Sequence, residues 1–295
     1  MKNKLFSGIM PALITPIHPD GTLMRSAAEA VIDWELSFPV RGFYINGATG
    51  EGPILPEATR REMAEVAVEK VRGRGAIINH IGAPDTNEAI RLARHAAEIG
   101  CDAISSVLPN FYFKYTTPQI LDYYRRIGDA SGLPIIVYAN GLMNTDPVDF
   151  MREAIEIPEV AGVKYTIYDY YSMRRICELN GGDINVINGP DEMLAMGLAA
   201  GCDACIGTTY NFQLPIIKAI FKAFKENRPD EARELQMKAD KIIGALISRN
   251  TIMATKLLMD RMGYDVYHAV FPMQKFSPEV EEMQLRELRE AGFEF

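Results

Sequence analysis

Apolar residues along the chain gather in short unbroken runs, each bounded by Gly or Pro and each followed by a stretch with helical spacing. The runs are Gly8 to Ile14, Gly42 to Ile45, Ala76 to Ile81, Ala103 to Leu108, Pro134 to Tyr138, Val160 to Val163, Ile184 to Ile187 and Asp203 to Ile206, eight in all. They are continuous rather than alternating and rich in Ile and Val, as strands covered on both faces should be. The intervening segments repeat apolar residues at three-four spacing, as in Met63, Val66, Ala67 and Val71, or Ala89, Leu92, Ala93 and Ala96. Such spacing predicts amphipathic helices.

Start signals stand where those helices need them: Pro56-Glu57, Asp85-Thr86, Asp146-Pro147, Asp169 and the pair Asp191-Glu192. Gly100 closes the Ala89 helix as a residue that tolerates a left-handed backbone. Strands alternating with helices specify parallel pairing, because each crossover returns the chain to the same end of the sheet. Eight such units predict an α/β fold, a (β/α)8 TIM barrel. An open nucleotide-binding sheet would carry Gly-x-Gly-x-x-Gly after its first strand, where this chain reads Thr15-Pro16-Ile17-His18-Pro19-Asp20. From Pro229 the pattern is helical, with Leu235, Ala239, Ile242 and Leu246 on one face, then segments over 252–262 and 278–291. We therefore read 1–227 as the barrel and 228–295 as a C-terminal helical extension.

Composition narrows the function. The 295 residues are 48% apolar and 24% charged, enough to build a full core without disulfides or a structural metal. A net charge of −8 from 31 basic and 39 acidic residues argues against nucleic acid as a partner. No apolar run reaches the ~18 residues of a bilayer span. The stretch Leu5 to Ile17 after a basic start has the layout of a secretory leader, but Pro11 and Pro16 interrupt it, and it reads as a buried first strand. Cys101, Cys177, Cys202 and Cys205 are too few for a disulfide framework, so the expected compartment is the cytoplasm. On an extended segment Cys202 and Cys205 point to opposite faces and read as buried free thiols rather than a redox pair.

In barrels of this kind chemistry belongs to the C-terminal ends of the strands. Lys164 follows Val160-Ala161-Gly162-Val163 and projects into the barrel mouth, where a desolvated amine loses charge more readily and can attack a carbonyl. The alternative is a lysine paired with a carboxylate or reaching out to water. Tyr138 ends the neighbouring strand and offers a phenol beside that amine, or else plugs the barrel. Gly47-Ala48-Thr49-Gly50-Glu51 could bring backbone N–H groups and the Thr49 hydroxyl to a small carboxylate, or form a simple turn. Asp191-Glu192 read either as first-turn acids or as hydroxyl binders, and Thr208-Thr209 as hydroxyl donors or strand residues. The histidines His18, His80, His95 and His268 are scattered without metal-ligand spacing, so metal chemistry is not expected; His80 is a candidate pocket-lining residue.

Taken together, Gly47-Ala48-Thr49-Gly50-Glu51, Tyr138 and Lys164 resemble the pyruvate-dependent class I aldolases of the dihydrodipicolinate synthase and N-acetylneuraminate lyase superfamily. The stretch from Asn188-Gly-Pro-Asp191-Glu192 to Gly207-Thr208-Thr209-Tyr210-Asn211 is similar to the N-acetylneuraminate lyase branch in particular. The resemblance implies a homotetramer, a 2-keto acid substrate, and reversible aldol cleavage releasing pyruvate without metal or organic cofactor. It further implies that Lys164 forms the imine, that Tyr138 moves the C4 hydroxyl proton, and that Ala48 and Thr49 hold the carboxylate. Thr166, Gly189, Asp191, Glu192, Gly207 and Thr208 would line the polyol end. Three departures stand out. Ala48 replaces the family's usual Ser or Thr, at about 1–3 kcal/mol if the hydrogen bond is not replaced. Ala139-Asn140-Gly141 replaces Asn-Ile/Val-Pro. Phe111 or Tyr112 stands where a supporting tyrosine is usual. Dihydrodipicolinate synthase itself is disfavoured, since Leu142-Met143-Asn144-Thr145-Asp146 lacks its arginine. A 2-keto-3-deoxygluconate-type aldolase, a related dehydratase and a non-catalytic ligand-binding barrel are the remaining readings.

Overall fold

The computed structural model describes residues 4–109, 112–141 and 143–294. Eight strands form the sheet: β1 Gly8–Pro11, β2 Gly42–Ile45, β3 Ala76–His80, β4 Ala103–Val107, β5 Ile135–Ala139, β6 Val160–Tyr165, β7 Asn185–Asn188 and β8 Ala204–Gly207. Neighbouring strands pair in parallel, in the order β1-β8-β7-β6-β5-β4-β3-β2. The circle closes between β1 and β2 through Arg41 N to Ile9 O (2.8 Å), Leu13 N to Tyr44 O (2.9 Å) and a parallel bridge from Ala12 to Tyr44. The predicted runs and the strands agree to within a few residues. The first run is longer than its strand, while β6 extends past Val163 to include Lys164 and Tyr165.

Side-chain alternation splits the core in two. Inside the barrel Met10, Ala12, Tyr44, Ile78, Ala103, Ile136, Ile187, Ala204 and Ile206 pack together. The opposite faces of the same strands meet the helices in the larger outer core. These helices are α1 Arg25–Leu36, α2 Glu57–Val71, α3 Thr86–Ile99, α4 Thr117–Ser131, α5 Pro147–Ala154, α6 Tyr170–Ile176, α7 Leu194–Ala200 and α8 Tyr210–Lys225. The predicted caps are present at Asp85, which accepts from Asn87 N, at Asp146, which accepts from Val148 N and Asp149 N, and at Asp169, which accepts from Ser172 N. Gly100 ends α3 at φ 85°, a conformation that a side chain would strain.

Three further helices follow, α9 Pro229–Ile247, α10 Thr251–Arg261 and α11 Pro278–Glu290. Two polar contacts tie them to the mouth of the barrel. Gln236 on α9 accepts from Ala195 N (3.0 Å) and donates to Asp191 O (3.1 Å), fixing the turn after β7. Lys256 on α10 forms a fully buried ion pair with Glu51, in the turn after β2, and donates to His268 O at 2.8 Å. Burial pulls Lys256 below the usual lysine range while Glu51 opposes it. Among the described residues no single helix is long and apolar enough to cross a membrane.

Removing one partner of a buried ion pair strands the other charge. Lys256→Met should therefore lower unfolding free energy by about 3–5 kcal/mol in urea denaturation, with part of the loss recovered by adding Glu51→Gln. A loss no larger than that of an exposed pair would contradict this anchoring role.

Candidate active site

Register decides where the reactive groups meet. Tyr138 of β5 stands directly opposite Lys164 of β6, which stands opposite Ile187 of β7. Ile136 and Ile187 belong to the barrel interior, so Tyr138, two residues beyond Ile136, and Lys164 share that inward face. Lys164 is 6% exposed, and its Nζ lies 3.9 Å from the centre of the Tyr138 ring and 4.5 Å from that of Tyr44. Ring faces attract an ammonium, so the amine is held over two electron-rich surfaces.

Tyr44 was not singled out in the sequence. It comes from β2, across the barrel, and its hydroxyl lies 3.0 Å from Ser105 Oγ. Ser105 donates its own proton to Ile136 O at 2.7 Å, so Tyr44 is the donor to Ser105. Burial, reinforced by the nearby Tyr138, pushes the Tyr44 phenol well above its ordinary range. Strand parity from Gly42 and Tyr44 would have placed this ring inside; its meeting with Lys164, far along the chain, is set by closure alone.

The turn after β2 folds on itself through Glu51 N to Ala48 O (3.0 Å) and Gly52 N to Gly47 O (3.1 Å), bonds that do not involve the N–H groups of Ala48 and Thr49. Ala48 is exposed and Thr49 buried. Thr49 Oγ1 and Thr208 Oγ1 are 2.7 Å apart, joining the turns after β2 and β8. The two hydroxyls thus act as one hydrogen-bonded pair, with Ala48 adding no third.

At the other side of the mouth a cavity of about 170 Å³ is lined by Thr166, Gly189, Asp191, Glu192 and Thr208, together with Tyr168 and the α9 residues Ile243 and Ile247. All the predicted polyol-end residues except Gly207 therefore share one concavity. The buried Thr166 hydroxyl has no hydrogen-bond partner. Gly189 and Gly207 supply space: a Cβ on Gly189 would come within 2.0 Å of Thr166 Oγ1, and one on Gly207 within 2.0 Å of Asp191 Oδ1. Asp191 Oδ2 accepts from Thr209 N and Thr209 Oγ1, both at 2.7 Å, so Asp191 secures the turn after β8 as well as lining the cavity. Burial raises its carboxyl to about 7 against those hydrogen bonds, with Glu192 adding repulsion and Lys164 opposing it. Glu192 accepts a hydrogen bond from the Tyr168 hydroxyl.

His80 has a structural place. Its Nε2 accepts from Val107 N at 3.2 Å, which leaves Nδ1–H to donate to Asn46 O at 3.2 Å. Burial first, then the charges of Arg60 and Lys164, lower it to about 3, so the imidazole is neutral. The ring lies 6.2 Å from that of Tyr138 and supports the wall of the pocket by clamping the ends of β2, β3 and β4 together. Cys202 and Cys205 are buried free thiols, with Cys205 pushed up to about 12 by burial. Among the described residues no cluster of His, Cys, Asp or Glu could hold a metal. Phe111 and Leu142 lie outside the described residues; Tyr112 is 89% exposed, with its ring 5.1 Å from that of Phe113. Asn140 is half-buried and Gly141 exposed beside the mouth.

In sequence and in fold the chain resembles proteins of one family. Residues 5–291 match the model of the dihydrodipicolinate synthetase family. The N-acetylneuraminate lyase of Rhizobium meliloti is 34% identical over 289 residues, covering 96% of this chain and 93% of that one. The Proteus mirabilis N-acetylneuraminate lyase superposes with a TM-score of 0.93 at 26% identity, covering 99% of this chain and 100% of that one. CdNal from Clostridium difficile, solved in complex with mannosamine, gives a TM-score of 0.91 at 26% identity over 97% of this chain and 99% of that one.

The Asp191 carboxyl makes a pH prediction. Its folded value, about 7, lies above the 3.8 of an unperturbed carboxyl, so between these values the folded state holds a proton that the unfolded state has lost. Its contribution to stability is therefore full below the lower value and declines as pH rises to the higher one. Asp191→Asn should remove this decline, so that in urea titrations wild type loses ground to the variant between those two pH values. A difference that stays constant, or runs the other way, would contradict the assignment.

Proposed function

The chain belongs to the dihydrodipicolinate synthetase family, and from that premise we propose that it is a Schiff-base lyase cleaving N-acetylneuraminate reversibly to pyruvate and an amino sugar. The observation that carries this reading is the buried amine of Lys164 held against the rings of Tyr138 and Tyr44 at the mouth of the barrel. In this reading the Lys164 amine attacks C2 of the keto acid, water leaves, and a protonated iminium forms. The C3–C4 bond then breaks with its electron pair flowing to the iminium nitrogen, while Tyr138 takes the C4 hydroxyl proton. Protonation of the resulting enamine at C3 and hydrolysis release pyruvate and restore the lysine. In synthesis the same steps run backwards. The chemistry uses no metal or organic cofactor.

The substrate carboxylate sits at the turn after β2, where the N–H groups of Ala48 and Thr49 stand outside the turn's own bonds and Thr208 orients the Thr49 hydroxyl. The hydroxyl-bearing tail runs into the cavity of Thr166, Gly189, Asp191, Glu192 and Thr208, with Gly207 as the space that Asp191 fills. An acidic, hydroxyl-rich concavity supports a polyhydroxy tail over an aromatic one. The proposal extends to a cytoplasmic homotetramer, which rests on the family resemblance and is checked by light scattering on the purified protein.

Pyruvate with borohydride should add one reduced pyruvate to the intact mass, on the peptide that contains Lys164. Lys164→Ala should abolish both this adduct and pyruvate release from N-acetylneuraminate. Tyr138→Phe should retain the adduct while kcat falls roughly 10²–10⁴-fold, the usual weight of a positioned acid–base group. An unchanged mass, or an adduct on another lysine, would overturn the mechanism.

A further inference from the structure

We infer that Tyr168 is a specificity-determining residue, which fixes the Glu192 carboxylate so that the pair reads two neighbouring hydroxyls at the end of the substrate tail. This deepens the lyase reading and rests on it. Tyr168 lies beyond the end of β6, in the loop that leads into α6, and its side chain lines the same cavity as Thr166, Glu192 and Thr208. The ring is 68% exposed, yet its hydroxyl donates to Glu192 Oε1. That hydrogen bond, followed by burial, pushes the phenol up to about 12, so it remains a donor across the working pH range.

The consequence follows from counting donors and acceptors. A carboxylate has two oxygens and no proton, and a phenol that gives its proton away still has lone pairs. With Oε1 engaged by Tyr168, Glu192 keeps Oε2 as an acceptor, and the phenol oxygen stands beside it as a second. Two adjacent acceptors match two O–H donors on neighbouring carbons. They reject a tail that ends in a carboxylate, which would bring a like charge to Glu192 with no proton to share. Ile247, 61% exposed, lines the same cavity as Tyr168. A tail lying between them would cover the apolar faces that both now show to water, so binding gains from the ring as well as from the hydroxyl.

The test is steady-state pyruvate release by wild type, Tyr168→Phe and Tyr168→Ala. One substrate is N-acetylneuraminate and the other is 4-hydroxy-2-oxopentanoate, which has the reacting carbons without the tail. Tyr168→Phe should raise KM for N-acetylneuraminate about tenfold, the size expected for one lost hydrogen bond to a charged group. Its kcat should stay within about twofold, and both parameters for the short acid should be unchanged. Tyr168→Ala should raise KM for the long acid further. Equal losses on both acids would assign Tyr168 to the scaffold and overturn the inference, as would an unchanged KM for the long acid in Tyr168→Phe. Borohydride trapping of pyruvate is run on all three proteins, because it does not involve the tail. Its failure in wild type would overturn the lyase reading, and an equal yield in all three shows that the lysine site is intact when the KM values are compared.

Discussion

The site depends on one constraint: a closed parallel barrel has an interior only a few side chains wide, and β5 and β6 bring Tyr138 and Lys164 into it side by side. Parallel pairing with inward alternation fixes both residues at one level of the barrel. Tyr44 arrives at that level from β2 because the circle closes, through Leu13 N to Tyr44 O and the bridge from Ala12 to Tyr44. An amine surrounded this way has few positions open to it. Its rotamers are limited by two rings, its desolvation is offset by their faces, and its only approach for a ketone is from the mouth. A slip of one residue in β6 would turn Lys164 outward into the helical layer.

What keeps the mouth from spreading is a set of buried polar contacts between turns that are distant in sequence. Asn46, at φ 56°, donates to Arg60 O and Asn79 Oδ1, both at 2.9 Å, while its carbonyl accepts from His80. Arg60 donates to His80 O and Gly82 O, so the ends of β2 and β3 form one hydrogen-bonded block. Glu51, at φ 57° further along the same turn, reaches Lys256, and Gln236 reaches the turn after β7. Left-handed backbone at a non-glycine residue costs energy and persists only where surrounding contacts over-determine it. Both such residues here are buried and tied at their side chains or carbonyls. The C-terminal helices are therefore part of the site, since α9 and α10 supply the struts for two of its turns.

Much of this was legible in the sequence because it is encoded locally. The eight strands follow from continuous Ile- and Val-rich runs, the helix starts from Asp85, Asp146 and Asp169, and Lys164 from its position at the end of a covered run. The cavity beside Glu192 also gathers residues that the strand ends had marked. The reading was weaker wherever a role depends on closure. Tyr44 and Lys164 are separated by most of the barrel, and nothing near either residue announces the other. Thr49 and Thr208 bond between the turns after β2 and β8, on either side of β1. Asp191 read either as a first-turn acid or as a hydroxyl binder, and its Oδ2 accepts from Thr209 N and Oγ1 while the residue also lines the cavity, a double placement that only the folded turns create. Tyr168 carries no local signal at all, because its contact with Glu192 arises only when the turns after β6 and β7 become neighbours.

The electrostatics of the mouth follow from the same geometry. On the proposed reading, a 2-keto acid arrives as an anion at a cup whose reacting end presents Lys164 and whose far side carries Asp191 and Glu192. Two ionised carboxylates there would repel both each other and the incoming substrate. Burial together with the charge of Glu192 raises Asp191 to about 7, so near neutrality it holds a proton for part of the time and the far side is less negative than two acids imply. His80 sits within reach of the same lysine, and burial and neighbouring positive charge keep it neutral, so it adds no second cation to compete for the carboxylate. A lysine at the reacting end and a far side less negative than two acids imply together suit the entry, on the proposed reading, of an anionic head and a neutral polyhydroxy tail in a single orientation.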